Sequence, residues 1–202
     1  MMNAKREESV IYRLENTLFN LLVQENYSAL EKEKLRFGIQ IVLSELIKLL
    51  IIYLAAILLD CVLPTFITHL AFLILRQVCL GYHFNGLFTC IVWSIITFPV
   101  AVKCLMELHH HLNFSSATLY VIFCIFLLMV YLLAPKGTVN QPIINEKHCR
   151  FLRKKMCFRM LLLIGVFFFS SVEIKLLISY GVLIEVIMLT LQTTIKGDVS
   201  NE

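Results

Sequence analysis

Six long apolar runs dominate the sequence, and each is about as long as a membrane-spanning helix. They cover residues 39–59, 63–80, 86–106, 114–134, 156–172 and 174–194. A crossing takes about 17–25 residues of helix, because the lipid core offers the backbone no hydrogen-bond partners. Hydrophobic residues make up 59% of the chain, more than soluble domains usually carry. We therefore predict an all-α, polytopic integral membrane protein of about six transmembrane helices.

A more polar segment precedes these runs. In residues 8–37, apolar side chains recur at helical spacing among charged and amide side chains, which predicts one amphipathic helix. Such a helix suits a membrane surface, and packing against its own protein explains the pattern equally well. We predict an amphipathic cytoplasmic or interfacial segment (1–37), a transmembrane domain (38–196) and a short C-terminal tail (197–202).

Basic residues flank the first four runs on both sides. Six lysines and arginines lie between Lys5 and Arg36, and seven lie between Lys136 and Arg159. Such clusters favour the cytoplasmic side of a membrane. We expect a multi-pass protein of the cell membrane with both termini in the cytoplasm and with the interruption at residues 81–86 on that same side.

This interruption carries the densest group of polar and reactive side chains in the apolar part of the chain. The group comprises Arg76, Gln77, Gly81, His83, Asn85, Gly86 and Cys90. Polar side chains are costly inside a membrane and are usually functional there. An unbroken helix would hold the Cα atoms of His83 and Cys90 about 10.5 Å apart, too far for the imidazole to take the thiol proton. A dyad therefore requires the backbone to leave regular helix between Gly81 and Cys90.

Other interpretations stay open on spacing alone. A single histidine and a single cysteine in apolar helices commonly just pack, and His69 with Cys61 or His148 with Cys149 would serve as well. None of the seven cysteines stands in a CxxC pair, which argues against a zinc site or a disulfide framework.

Several further polar features remain. The run His109-His110-His111 favours a polar interfacial loop over a metal site, because consecutive side chains point in different directions. With no glycine-rich phosphate loop and no metal-ligand spacing, we expect no cofactor and no nucleic-acid partner. The basic stretch at 147–159 would attract anionic lipid headgroups or an acidic peptide tail.

Two features within the predicted spans concern ion pairs. Glu45 and Lys48 are one turn apart and predict an intrahelical pair. Glu185 lies within the last run and needs a partner, for which Arg76, Lys175 or the catalytic cavity are candidates.

The spacing Arg-x4-Gly-x-His-x6-Cys resembles the core motif of the accessory gene regulator B (AgrB) family, membrane endopeptidases of peptide quorum sensing. Its members here are Arg76, Gly81, His83 and Cys90. Similarity extends to the N-terminal amphipathic segment, to residues 134–143, to the basic run behind them and to residues 181–185, so it covers nearly the whole chain. Two departures occur: Leu80 stands where the family usually has a glycine, and residues 137–139 stand where it often has lysines.

The resemblance implies that residues 38–196 form a peptidase domain in which Cys90 is the nucleophile and His83 its general base. The residues expected to bind substrate or shape the site are Arg76, Gln77, Gly81, Asn85, Gly86, Lys136, Gln141 and Glu185. The implied substrate is an AgrD-like propeptide, cleaved through a thioester and closed to a thiolactone or lactone. Membrane lipid and a second copy in a homodimer are the other expected partners.

Two other kinds of membrane protein compete with this interpretation. A small peptide transporter or exporter would also contain broken helices and buried charges, although the chain shows no clear pair of repeated halves. A structural or holin-like protein would need no histidine–cysteine dyad.

Overall fold

The computed structural model describes residues 10–24, 26–82, 86–112, 114–137, 143 and 145–196. Within these ranges the chain forms eight α-helices and one π-helical turn. They are α1 (Val10–Leu22), α2 (Ala29–Leu58), α3 (Val62–Cys79), α4 (Leu87–Ile95), the π-helical turn (Ile96–Val100), α5 (Ala101–Leu112), α6 (Ser116–Leu133), α7 (Glu146–Phe169) and α8 (Val172–Lys196).

Five helical segments of the described chain are long and apolar enough to cross a membrane. They are α2, α3, Phe88–Leu112, α6 and Val172–Thr194. This confirms the prediction of an all-α, polytopic membrane protein. The fifth predicted run, 156–172, falls mostly in α7, whose basic residues crowd its first half and whose second half is apolar. A crossing by α7 stays a prediction.

The described chain divides into two compact units, the first ending at Ile51 and the second beginning at Ile52. In the first unit, Gln40 Nε2 donates to Glu15 Oε1 at 2.7 Å, and Arg36 Nε lies 4.0 Å from the same oxygen. Glu45 and Lys48 form the predicted intrahelical ion pair.

Helix α1 exposes apolar side chains together with polar ones, namely Arg13, Thr17 and Asn20. Glu15 is buried, whereas four leucines are exposed: Leu14, Leu18, Leu21 and Leu22. Exposed leucines are what a helix at a membrane surface would present to lipid.

The prediction of one helix over residues 8–37 is wrong, because α1 ends at Leu22 and α2 begins at Ala29. Ser28 starts the second helix. Its N–H and Oγ–H both donate to Glu31 Oε2 at 2.7 Å, and the Glu31 N–H donates back to Ser28 Oγ. This reciprocal pattern is a capping box, which marks the N-terminal start of a helix.

The predicted loop at His109-His110-His111 is also wrong. These three residues form the last turn of α5, which continues to Leu112. The helix therefore ends only one residue after the histidines.

In the second unit, three helices run in the same direction. Thr68 Oγ1 of α3 donates to the Leu177 carbonyl of α8 at 3.4 Å. Near the starts of α8 and α6, Lys175 Nζ donates to Ser116 Oγ at 3.3 Å. A Cβ on Gly181 would lie 2.6 Å from the Thr68 carbonyl oxygen, so α3 and α8 approach more closely than a larger residue would permit. The ends of α3, α6 and α8 therefore meet at one end of the unit.

The helix from α4 to α5 is interrupted by its π-helical turn at Pro99. Proline has no N–H to donate, so the regular hydrogen-bond ladder is broken there. The Tyr180 hydroxyl of α8 donates to the Thr97 carbonyl at 3.0 Å, which joins the π-helical turn to α8.

Candidate active site

The chain leaves regular helix where the sequence predicts it. Helix α3 ends at Cys79, and α4 begins at Leu87. Leu80 and Gly81 both take positive φ angles, of 64° and 93°. His83 and Asn85 lie outside the described residues, so the geometry of the His83–Cys90 dyad stays a prediction.

Arg76 forms hydrogen bonds with the first residues of this interruption, 80–82. Its Nη1 donates to the Leu80 carbonyl, and its Nη2 donates to the carbonyls of Gly81, at 3.3 Å, and Tyr82. A guanidinium presents its N–H groups in a rigid planar fork, which suits several acceptors at once. One side chain therefore fixes three consecutive carbonyl groups.

Glu185 on α8 is the acidic partner of this arginine. Its Oε2 lies 3.9 Å from Arg76 Nη1, and its side chain is 0% exposed. Neither of its carboxylate oxygens accepts a hydrogen bond within the part of the chain that the structure describes. Of the candidate partners, Arg76 is therefore the one that the geometry pairs with Glu185.

The segment that follows α6 lies beside the segment that follows α3. The Lys136 N–H donates to the Cys79 carbonyl at 3.1 Å, and the Gly81 N–H donates to the Lys136 carbonyl at 3.4 Å. Leu80 and Lys136 thus form a short parallel β-bridge. The turn after α6, in which the Ala134–Pro135 peptide bond is cis, is in this way joined to the end of α3.

Helix α8 forms hydrogen bonds with both of these segments. The Tyr82 N–H donates to the Met188 carbonyl at 3.1 Å, and Gln192 Nε2 donates to the Gly137 carbonyl at 3.3 Å. Glu185 and Gln192 are seven residues apart, so they share one face of the helix. Sequence reasoning missed Gln192, although a buried amide at this spacing from Glu185 is a usable signal.

Cys90 lies in the first turn of α4. Its N–H donates to the Gly86 carbonyl at 3.2 Å, and its side chain is half-buried. Gly86 precedes the helix with a φ of 103°. Cys90 therefore lies near the N-terminal end of α4, directly after the interrupted segment.

The remaining predicted site residues are placed differently. Gln77 is exposed on α3, with no role in the Arg76 contacts described above. Gln141 lies outside the described residues. The structure therefore brings together Arg76, Gly81, Lys136 and Glu185, and it places Cys90 at the start of the next helix.

In the two alternative histidine–cysteine pairs, the side chains contact other groups or point apart. His69 Nδ1 lies 3.4 Å from the Tyr53 hydroxyl, whereas Cys61 Sγ lies 3.6 Å from Thr65 Oγ1. His148 and Cys149 are successive residues of α7, so their side chains diverge. Among the described residues, no group of three or more histidines, cysteines and acids is arranged to hold a metal ion.

Comparison with known proteins matches residues 15–189 to the family described as accessory gene regulator B. The chain is 30% identical over 155 residues to a putative AgrB-like protein of Listeria monocytogenes serotype 4a (strain HCC23), covering 76% of this chain and 74% of that protein. It is 28% identical over 168 residues to the accessory gene regulator protein B of Staphylococcus aureus (strain Newman), covering 82% and 85%. No solved structure matches.

Proposed function

Because the chain belongs to the accessory gene regulator B family, we propose that it is a membrane-embedded cysteine endopeptidase that processes an AgrD-like propeptide. Family membership already implies a part in accessory gene regulator quorum sensing. The peptidase activity, its substrate and its residues are the proposal.

The observation that carries it is the position of Cys90. This thiol lies in the first turn of the helix that follows the interrupted segment, and it is half-buried rather than fully buried in the core. Cys79, by contrast, is 0% exposed within the core formed by α3, α6, α7 and α8. A nucleophile must reach a peptide carbonyl, so Cys90 is the better candidate of the two.

The reaction follows from thiol chemistry. His83 takes the proton of the Cys90 thiol, and the sulfur attacks the carbonyl carbon of the scissile peptide bond. The C–N bond breaks, the imidazolium gives its proton to the leaving amine, and the retained N-terminal part stays bound as a thioester. A thiol or hydroxyl within that part then attacks the thioester. The C–S bond breaks, the ring closes as a thiolactone or lactone, and Cys90 recovers a proton.

The other proposed site residues support these steps. Arg76, Gly81, Lys136 and Glu185 shape the segment before His83, while Gly86 allows the turn into α4. Gln77, Asn85 and Gln141 are proposed to contact the substrate. No cofactor is needed, since a thiol and an imidazole supply both the nucleophile and the proton transfers.

The proposed setting is the cytoplasmic face of the cell membrane. Residues 80–82 and 134–137 meet at one end of the helices, and the basic residues near them favour the cytoplasmic side. The propeptide would lie on the inner leaflet beside anionic lipid, and a homodimer is proposed as the working unit.

The experiment is co-expression with a candidate AgrD-like propeptide, followed by mass spectrometry of the peptides. With Cys90 intact, we expect a cleaved and cyclised peptide that is lighter than its linear form by one water. With Cys90→Ala, we expect only the intact precursor, bound to membranes that hold normal amounts of the protein. Cleavage that persists in Cys90→Ala rejects the assignment. Transport of an uncleaved peptide would favour the transporter instead.

A further inference from the structure

The burial of Glu185 is energetically unfavourable. It is fully buried on an apolar helix, and its carboxylate oxygens accept no hydrogen bond in the described part of the chain. An ionised carboxylate in such surroundings is destabilising unless a cation compensates it. The cation is Arg76, whose side chain is itself only 13% exposed.

Packing does not require this pair. Around it, α3 and α8 already share a continuous apolar core that includes Leu75, Val78, Val182 and Leu189. Buried ion pairs can often be replaced by apolar residues of similar volume without loss of stability. The pair must therefore contribute something other than the association of α3 with α8.

The contacts of Arg76 indicate what the Arg76–Glu185 pair contributes. The same guanidinium that faces Glu185 donates to the carbonyls of three successive residues, Leu80, Gly81 and Tyr82. Three carbonyls can converge on one side chain only if the backbone abandons regular helix. The next residue in the sequence is His83.

We propose that Glu185 is a positioning residue for the cleavage reaction. Its buried negative charge holds Arg76 against the three carbonyls, and Arg76 in turn fixes the direction in which the chain leaves Tyr82 toward His83. The hydrogen bond from Tyr82 N–H to the Met188 carbonyl, one turn along α8, secures the same point. This inference rests on the proposed function, since Glu185 acts through Arg76 and not on the substrate.

The test uses the whole chain in lipid vesicles and a synthetic AgrD-like propeptide that the co-expression experiment shows to be cleaved. Glu185→Gln keeps the shape and removes the charge. We expect its kcat to fall by about 10- to 100-fold, the scale of a misplacement of roughly 1 Å, with KM nearly unchanged. Glu185→Asp keeps the charge and should recover part of the rate. Glu173→Gln, an exposed acid on the same helix, is the matched control and should match the parent.

A second variant separates positioning from folding. Arg76→Met combined with Glu185→Met removes both charges and keeps apolar volume, so it should fold and insert normally. We expect its unfolding temperature to equal that of the parent while its kcat is as low as that of Glu185→Gln. A parent-like kcat in either variant overturns the positioning role alone. Absence of Cys90-dependent cleavage in the parent protein overturns the proposed function, and the positioning role with it.

Discussion

A Cβ atom added to Gly81 would lie 2.7 Å from Nη1 of Arg76. Gly81 also has a φ of 93°, which residues with a side chain rarely adopt. The glycine and the arginine are therefore interdependent. Gly81→Ala should displace the guanidinium and lower propeptide cleavage by at least about tenfold, because the carbonyls that Arg76 holds would be released. The measurement is the initial rate of cleavage in vesicles holding equal amounts of the two proteins.

Leu80 provides the matched comparison for that variant. Its φ of 64° and ψ of −119° belong to a region that glycine favours. A leucine in this conformation carries strain of about 1–3 kcal/mol. Leu80→Gly should relieve it and leave the cleavage rate within about twofold of the parent. A loss of activity as large as that of Gly81→Ala would contradict this account of the turn.

The seven thiols should behave very differently. Cys90→Ala is expected to abolish cleavage, and Cys90→Ser to come close to that, because a hydroxyl beside a single imidazole is a weak nucleophile. His83→Ala should cost about as much as Cys90→Ala, and combining the two should add little, since they act as one unit.

Cys79→Ala is the informative control for the thiol series. Its sulfur is buried in the apolar core, so the change removes only packing, and processing should persist. The remaining five cysteines should also tolerate alanine. If Cys79→Ala stops processing while Cys90→Ala does not, the nucleophile is misassigned, and the motif alignment with it. Peptide mass spectrometry after co-expression distinguishes the two cases.

The helix boundaries could largely be predicted from the sequence, because they depend on local signals. Gly81 and Gly86 flank the break between α3 and α4, and Pro135 follows the end of α6. The break between α1 and α2 depends on an equally local signal, Ser28 with Glu31, which was outweighed by the apolar periodicity around it.

The contacts between helices could be predicted only in part. The sequence identifies Arg76 and Glu185 as costly charges, but it leaves Lys175 as an equal partner for the acid. The structure places Lys175 Nζ 4.6 Å above the Tyr120 ring, and Arg76 remains for Glu185. The spacing of Gln192 from Glu185 is a signal in the sequence, but its contact with the Gly137 carbonyl, 55 positions away in the chain, is visible only in the structure.

The membrane topology makes a separate prediction. Reporter fusions within residues 144–155 and after Glu202 should both read cytoplasmic, because basic residues concentrate at 1–36 and 136–159. A fusion after Leu112, between α5 and α6, should read external. An external signal from either of the first two positions would overturn the six-span arrangement.

Gly181, the single glycine of α8, should tolerate a side chain poorly. A Cβ there would lie 2.6 Å from the Thr68 carbonyl oxygen and 2.9 Å from the Ala71 Cβ, where α3 and α8 meet. Gly181→Ala must push the two helices apart, at a cost of about 1–3 kcal/mol. Gly165 in α7 has nothing within 4 Å of the same position, so Gly165→Ala should be neutral or stabilise by up to about 1 kcal/mol through helix propensity. Thermal unfolding in detergent compares the two variants, and equal unfolding temperatures would show that the close approach of α3 to α8 does not contribute to stability. Because the same approach brings Glu185 to Arg76, Gly181→Ala should also slow cleavage, and Gly165→Ala should not.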